Sequence, residues 1–131
     1  MKSLRARRLD PLGRITLPME LRRTLGLIAG VKVDMWTDKN SICIKLFDKN
    51  NPKGISRAID DLGRITIPMA FRSSFQIKER EKLNINLDGP IICLEADAKC
   101  VFCGGTTHLV EKNGKFACQD CIEDLKQEVL S

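Results

Sequence analysis

Tyrosine is absent from the 131-residue chain, and tryptophan and histidine occur once each. That leaves few of the groups that perform acid–base catalysis near neutral pH. Long apolar runs are missing as well. No stretch approaches the roughly 20 apolar residues that a membrane-spanning helix needs. The basic opening, Met1-Lys2-Ser3-Leu4-Arg5-Ala6-Arg7-Arg8, is not followed by the apolar segment of a signal peptide. A cytoplasmic location is therefore expected, where six cysteines are read as thiols or metal ligands rather than disulfides. The chain also lacks a glycine-rich phosphate loop and a nucleophile–base pair, so an enzyme is the least expected class.

Hydrophobic residues make up 43% of the chain, enough to build a core. The net charge is +5, and its distribution says more than its size. Residues 1–48 carry ten basic against five acidic side chains, and residues 49–99 carry nine against seven. Residues 100–131 carry three against five. The basic surface thus lies toward the N-terminal half, which favours an acidic partner, nucleic acid first.

A repeat at an offset of about 50 residues organises the chain. Asp10-Pro11-Leu12-Gly13-Arg14-Ile15-Thr16-Leu17-Pro18-Met19 recurs as Asp60-Asp61-Leu62-Gly63-Arg64-Ile65-Thr66-Ile67-Pro68-Met69. The match runs without a gap from Arg7 to Lys45, with Arg22 on Arg72, Lys32 on Lys82, Asp38 on Asp88 and Cys43 on Cys93. Each copy predicts a short strand at the Gly-Arg-Ile-Thr segment and a short helix from the proline. Leu21 and Leu25, or Phe71 and Phe75, share one helix face. A hairpin follows, turning at Asp38-Lys39-Asn40 in the first copy and Asp88-Gly89-Pro90 in the second. The organisation expected is repeat 1 over 1–48, a polar Pro/Gly linker over 49–56, repeat 2 over 57–97, and a cysteine-rich segment over 98–131. A unit of about 40 residues is too small to bury a core alone, so the repeats must combine, within one chain or between chains.

The motif Leu12-Gly13-Arg14-Ile15-Thr16-Leu17-Pro18, followed by Glu20-Leu21-Arg22-Arg23-Thr24-Leu25-Gly26, resembles the AbrB/SpoVT/MazE superfamily of DNA-binding domains, and within it the transition-state regulators. The resemblance covers about Leu9 to Phe47 and, more weakly, about Ile59 to Leu94. It implies a mainly β fold of swapped-hairpin barrel type with short helices, a homodimeric or larger assembly, and duplex DNA as partner. On matching positions the DNA-contacting residues would be Arg8, Arg14, Arg22 and Arg23, with Arg64 and Arg72 in the second copy. Arginine suits this work because its planar donor fork matches phosphate oxygens and guanine edges. Ala58 stands where Arg8 would be, Ser73 where Arg23 would be, and Gln76 replaces Gly26. Fewer contacts are expected from the second copy.

Cys100-x2-Cys103 and Cys118-x2-Cys121 have the spacing of a tetrahedral four-thiolate zinc site. Gly104 lets the backbone turn behind the first pair. Lys112-Asn113-Gly114-Lys115 predicts a hairpin turn between the pairs. The second pair opens a helix on which Ile122, Leu125 and Val129 share a face. The layout resembles a treble-clef zinc finger, with one structural zinc per chain and no open position for catalytic water. Cys43 and Cys93 read as small core residues. The function expected is a DNA-binding transcription regulator, a repressor, whose zinc segment serves assembly or a protein partner. The alternatives are an antitoxin of the MazE kind and an interaction adaptor that uses the zinc segment alone.

Overall fold

The computed structural model describes residues 2–130, a mainly β chain with ten strands and three short helices among the described residues. It divides into two compact units, the first ending at Ala96 and the second beginning at Asp97. No helix is long and apolar enough to cross a membrane.

In the first unit both repeats follow one plan. Strand β1 (Lys2–Arg8) leads to β2 (Arg14–Thr16), helix α1 (Met19–Leu25), and the hairpin of β3 (Lys32–Asp38) with β4 (Ser41–Leu46). The second copy runs β5 (Ile55–Ala58), β6 (Arg64–Thr66), α2 (Met69–Ser74), β7 (Lys82–Asp88) and β8 (Ile91–Ala96). Pro18 and Pro68 cap the helices at their N-terminal ends, where a missing N–H costs nothing. Gly26 ends α1 in the left-handed conformation.

The repeats exchange strands. β1 pairs not with its own hairpin but with β7, while β5 pairs with β3. The two hairpins join through β4 and β8, giving one six-stranded sheet in the order β1-β7-β8-β4-β3-β5. Cys43 faces Cys93 at its centre, so the offset of the repeat becomes a pseudo-two-fold axis in space. Burial pushes the Cys43 thiol up to about 11, which keeps it a neutral core group. Strands β2 and β6 form a separate antiparallel ladder across the same axis, with Ile15 opposite Ile65.

Both repeats fill a single core. Ile15, Leu17, Leu21, Met35 and Ile44 of the first pack with Ile65, Ile67, Leu83, Ile85 and Ile92 of the second. The two copies thus combine within one chain, and the small-unit problem is solved by exchange. Strand β1 was not foreseen; its seven residues stand in the sequence as part of a basic opening, and their pairing comes from β7. A register shift between Leu4 and Arg7 bends this edge strand, and β5 on the opposite edge is only four residues long. Both features discourage further strand addition.

One polar residue breaks the alternation expected of β3. Asp34 is buried, and its carboxylate accepts the backbone N–H groups of Lys53 and Gly54. The Lys53 ammonium lies 5.6 Å from the Trp36 ring centroid. The inter-repeat linker is therefore tied to β3 just before β5 joins it.

The fully buried crossing pair sets a stability expectation. Ile15→Ala should cost about 2–5 kcal/mol, whereas Ile28→Ala, at an exposed position, should stay within about 0.5 kcal/mol. Urea unfolding of the two variants checks this; equal midpoints would mean that the crossing is not part of the cooperative core.

Candidate nucleic-acid interface and metal centre

The loop between β1 and β2 is built by Asp10. Its Oδ1 accepts the N–H groups of Leu12 and Arg14, and its Oδ2 accepts the Arg14 Nε at 2.6 Å. Asp60 repeats each bond with Leu62 and Arg64, again with 2.6 Å to Nε. Arg14 and Arg64 are held at a fixed angle by their own loops. Arg14 lies opposite Thr66 and Arg64 opposite Thr16. Because Ile15 and Ile65 point into the core, these four polar residues share the outer face of the ladder.

The helix arginines are placed differently. Arg22 Nε donates to the Leu17 carbonyl and Arg72 Nε to the Ile67 carbonyl, both at 3.0 Å. Each guanidinium lies against a buried glycine of the opposite copy, Arg22 on Gly63 and Arg72 on Gly13. Both glycines have positive φ, 80° for Gly13 and 77° for Gly63, and a Cβ at either would collide with the arginine. The motif glycine therefore does two things: it turns the loop and makes room for a partner's guanidinium. With Nε committed, the outer nitrogens of Arg22 and Arg72 remain as donors.

Two further hydrogen bonds fix how the copies meet. Leu17 N–H donates to the Gly63 carbonyl at 3.0 Å, and Ile67 N–H to the Gly13 carbonyl at 2.9 Å. Each end of the ladder is thus a composite. One corner joins the Leu12–Arg14 loop of the first copy to Met69 and Arg72 of the second. The other joins the Leu62–Arg64 loop to Met19, Arg22 and the exposed Arg23. Arg8 is exposed at the end of β1, with one guanidinium nitrogen 3.1 Å from the Arg80 carbonyl. Five of the six arginines singled out in the sequence are brought to this ladder and the helices beside it; Arg8 lies at the end of the adjoining strand. The grouping is by corner, not by repeat. Sequence reasoning missed Asp10 and Asp60 as the groups that orient Arg14 and Arg64, although both are identical in the two copies.

Proton binding should report on this scaffold. Burial opposes ionisation of Asp10, but the Arg14 N–H and guanidinium and the Leu12 N–H outweigh it, so its carboxyl sits below the ordinary value. The Arg64 N–H is the largest influence on Asp60, and that carboxyl is lowered too. Groups with a depressed folded pKa contribute fully above the unfolded value, about 3.9, and lose that contribution as pH falls through the folded value. Urea midpoints measured between about pH 2 and pH 7 should fall in the acid range. In Asp10→Asn/Asp60→Asn the neutral plateau should be lower and the acid dependence shallower. Curves of identical shape would show that the two carboxylates do not hold the loops.

In the second unit β9 (Leu109–Lys112) and β10 (Lys115–Cys118) pair in register, Lys115 opposite Lys112, and α3 (Gln119–Leu130) follows directly. The Asn113-Gly114 turn lies where the sequence predicts it. The Cys100 turn returns through Gly105, and its backbone joins Phe116 of β10. These elements bring Cys100, Cys103, Cys118 and Cys121 together, with all four sulfurs within 4.8 Å of one another. Cys103 and Cys118 Sγ are 3.7 Å apart. A tetrahedron of sulfurs about 2.3 Å from a zinc ion has edges of about 3.8 Å, so the cluster has the right size for such an ion.

The protonation chemistry points the same way. The Cys103 backbone N–H above all, with those of Cys118 and Phe102, holds the Cys100 thiol down to about 6 against the effect of burial. Cys121 is pushed upward, first by its contact with the Cys118 sulfur. Four sulfurs this close cannot all ionise without a cation among them, and a divalent metal resolves the conflict. The Gly105 N–H, 3.3 Å from Cys103 Sγ, is set to stabilise a thiolate. Among the described residues His108 adopts a positive φ of 50° and is exposed in the loop before β9, outside the cluster.

With only Cys100 and Cys118 buried among its described residues, the second unit should depend on a bound metal. A strong chelator, or Cys121→Ser, should abolish metal content and melt α3. Circular dichroism and elemental analysis should show the first unit's unfolding transition unchanged. Full helical signal in metal-free protein would remove the metal from the folding of this unit.

No protein-family model matches the chain. It is similar to the transition state regulatory protein AbrB of Bacillus subtilis, 39% identical over 44 residues, which is 34% of this chain and 46% of AbrB. The chain thus spans about half the length of the curated relative it matches. The solution structure of PHS018 from Pyrococcus horikoshii aligns with a TM-score of 0.41 and 24% identity, over 73% of this chain and 91% of that one. The similarity to AbrB gives the AbrB-type resemblance of the sequence motif an independent footing.

Proposed function

We propose that this chain is a non-enzymatic, AbrB-type transcription regulator that grips duplex DNA through the arginines around the β2–β6 ladder and acts as a repressor by occupying its site. The observation that carries the reading is the arrangement of Arg14, Arg22, Arg64 and Arg72 about the pseudo-two-fold, with exposed Arg23 and Arg8 added by the first copy alone. Two guanidinium groups are oriented by carboxylates and two by backbone carbonyls just beyond β2 and β6, which lowers the ordering cost of meeting a phosphate backbone. The similarity to AbrB supports the same reading.

One zinc ion per chain, bound by Cys100, Cys103, Cys118 and Cys121, is assigned a structural role. The hydrophobic core is already closed within one chain, so a second copy is assigned to assembly rather than to core completion. The zinc unit is the candidate for that contact. Its exposed Val101, Phe102, Val110 and Val129 also favour a second reading, an adaptor that binds a protein partner and has no DNA role.

Binding to AT-rich duplex across a salt series separates the two. The intact, zinc-loaded protein should bind with an affinity that falls steeply with salt, with a slope of about 0.9 per phosphate contact. Arg14→Ala/Arg64→Ala, which removes one arginine from each corner, should weaken binding about 10-fold or more and reduce the slope by about two. Weak, salt-insensitive binding that the variant leaves unchanged would make the arginine face ordinary solvated surface and favour the adaptor.

A further inference from the structure

Four large apolar side chains stand out in water around the same ladder. Leu12 is 66% exposed and Leu62 64%, while Met19 is 52% and Met69 63% exposed. They are two pseudo-symmetric pairs. Both residue types are identical in the two copies, although only roughly a third of the repeat is. Burial does not explain their retention, since none contributes to the core. Scattered exposed leucines need no explanation, but a symmetric set on a charged face does.

Their places follow from the backbone. Gly13 accepts a hydrogen bond from Ile67, which brings Leu12 to the segment that leads to Met69, and Gly63 accepts from Leu17, which brings Leu62 to the segment that leads to Met19. Each corner therefore offers a leucine from one copy and a methionine from the other, beside the guanidinium that lies on the same glycine. Cationic groups suit the phosphates, but phosphate contacts carry no direct sequence information. Apolar tips suit bases, through a thymine methyl or a partly opened base step.

We infer that Leu12, Met69, Leu62 and Met19 are the apolar base-contacting residues that give the arginine face its sequence preference. The inference rests on the DNA-binding reading proposed above, with duplex DNA as the sole occupant of the face. The arginines set affinity, and the four apolar tips set choice among sequences.

The test compares the affinity of the full-length, metal-loaded protein for a duplex selected from a random pool with its affinity for random duplex. In Leu12→Ala/Met19→Ala/Leu62→Ala/Met69→Ala the ratio of the two affinities should fall about 10-fold or more. The salt slope and the melting temperature should stay at wild-type values, because the side chains are exposed and uncharged. A ratio retained within about two-fold, or a wild-type protein with salt-dependent binding but no preference, overturns the inference and leaves the DNA reading intact. Absence of salt-dependent binding by the wild type overturns the DNA reading itself, and the inference with it.

Discussion

Ile15 and Ile65 meet across a three-residue antiparallel ladder, and the first unit depends on that crossing. A forty-residue repeat cannot cover its own apolar face. Crossing the two copies at β2 and β6 places each one's helix and hairpin on the other's side of the axis. β1 then reaches β7, and β5 reaches β3. All the long-range pairing follows from one short contact between identical segments. The same contact puts Gly13 and Gly63 against the opposite copy's arginine, so the crossing and the charged face share their residues.

This sharing explains why the arginines do not disrupt the fold. Like charges gathered at a two-fold axis repel, yet Arg14 and Arg64 are each matched by an aspartate of the same loop. Arg22 and Arg72 donate their Nε hydrogens to the Leu17 and Ile67 carbonyls just beyond β2 and β6. What remains outward is oriented positive charge at low cost. The two copies are not equal in this respect. Arg8 and Arg23 have no counterparts at Ala58 and Ser73, so a pseudo-symmetric frame carries an asymmetric charge. A single chain can thus add a different arginine near each corner, which two identical chains related by an exact two-fold axis could not.

The second unit uses other physics. Its buried residues are mainly cysteines, Cys100 and Cys118, and its helix leaves Leu125 and Val129 exposed. A cluster of four cysteine sulfurs stands where an apolar core would otherwise be, and short segments commonly need such a staple.

The repeat, the motif, the hairpin turns and the two cysteine pairs were legible because each is local. A turn favours Asn, Asp and Gly, a helix start tolerates proline, and four thiolates need their spacing. These determined the strands, the short helices and the candidate metal ligands from residue types alone, and the motif's resemblance to the AbrB/SpoVT/MazE superfamily supplied the candidate arginines. Tertiary structure decided the rest. β1 holds one large apolar residue, Leu4, so its strand character comes from β7 rather than from its own pattern. Asp34 is buried because the linker from a distant segment brings it two N–H partners. The exchange of strands, the composite corners and the stacking of Arg22 on Gly63 each require two segments about 50 residues apart to meet. Local preference cannot encode such a meeting; only the shared burial of both repeats' apolar faces selects it.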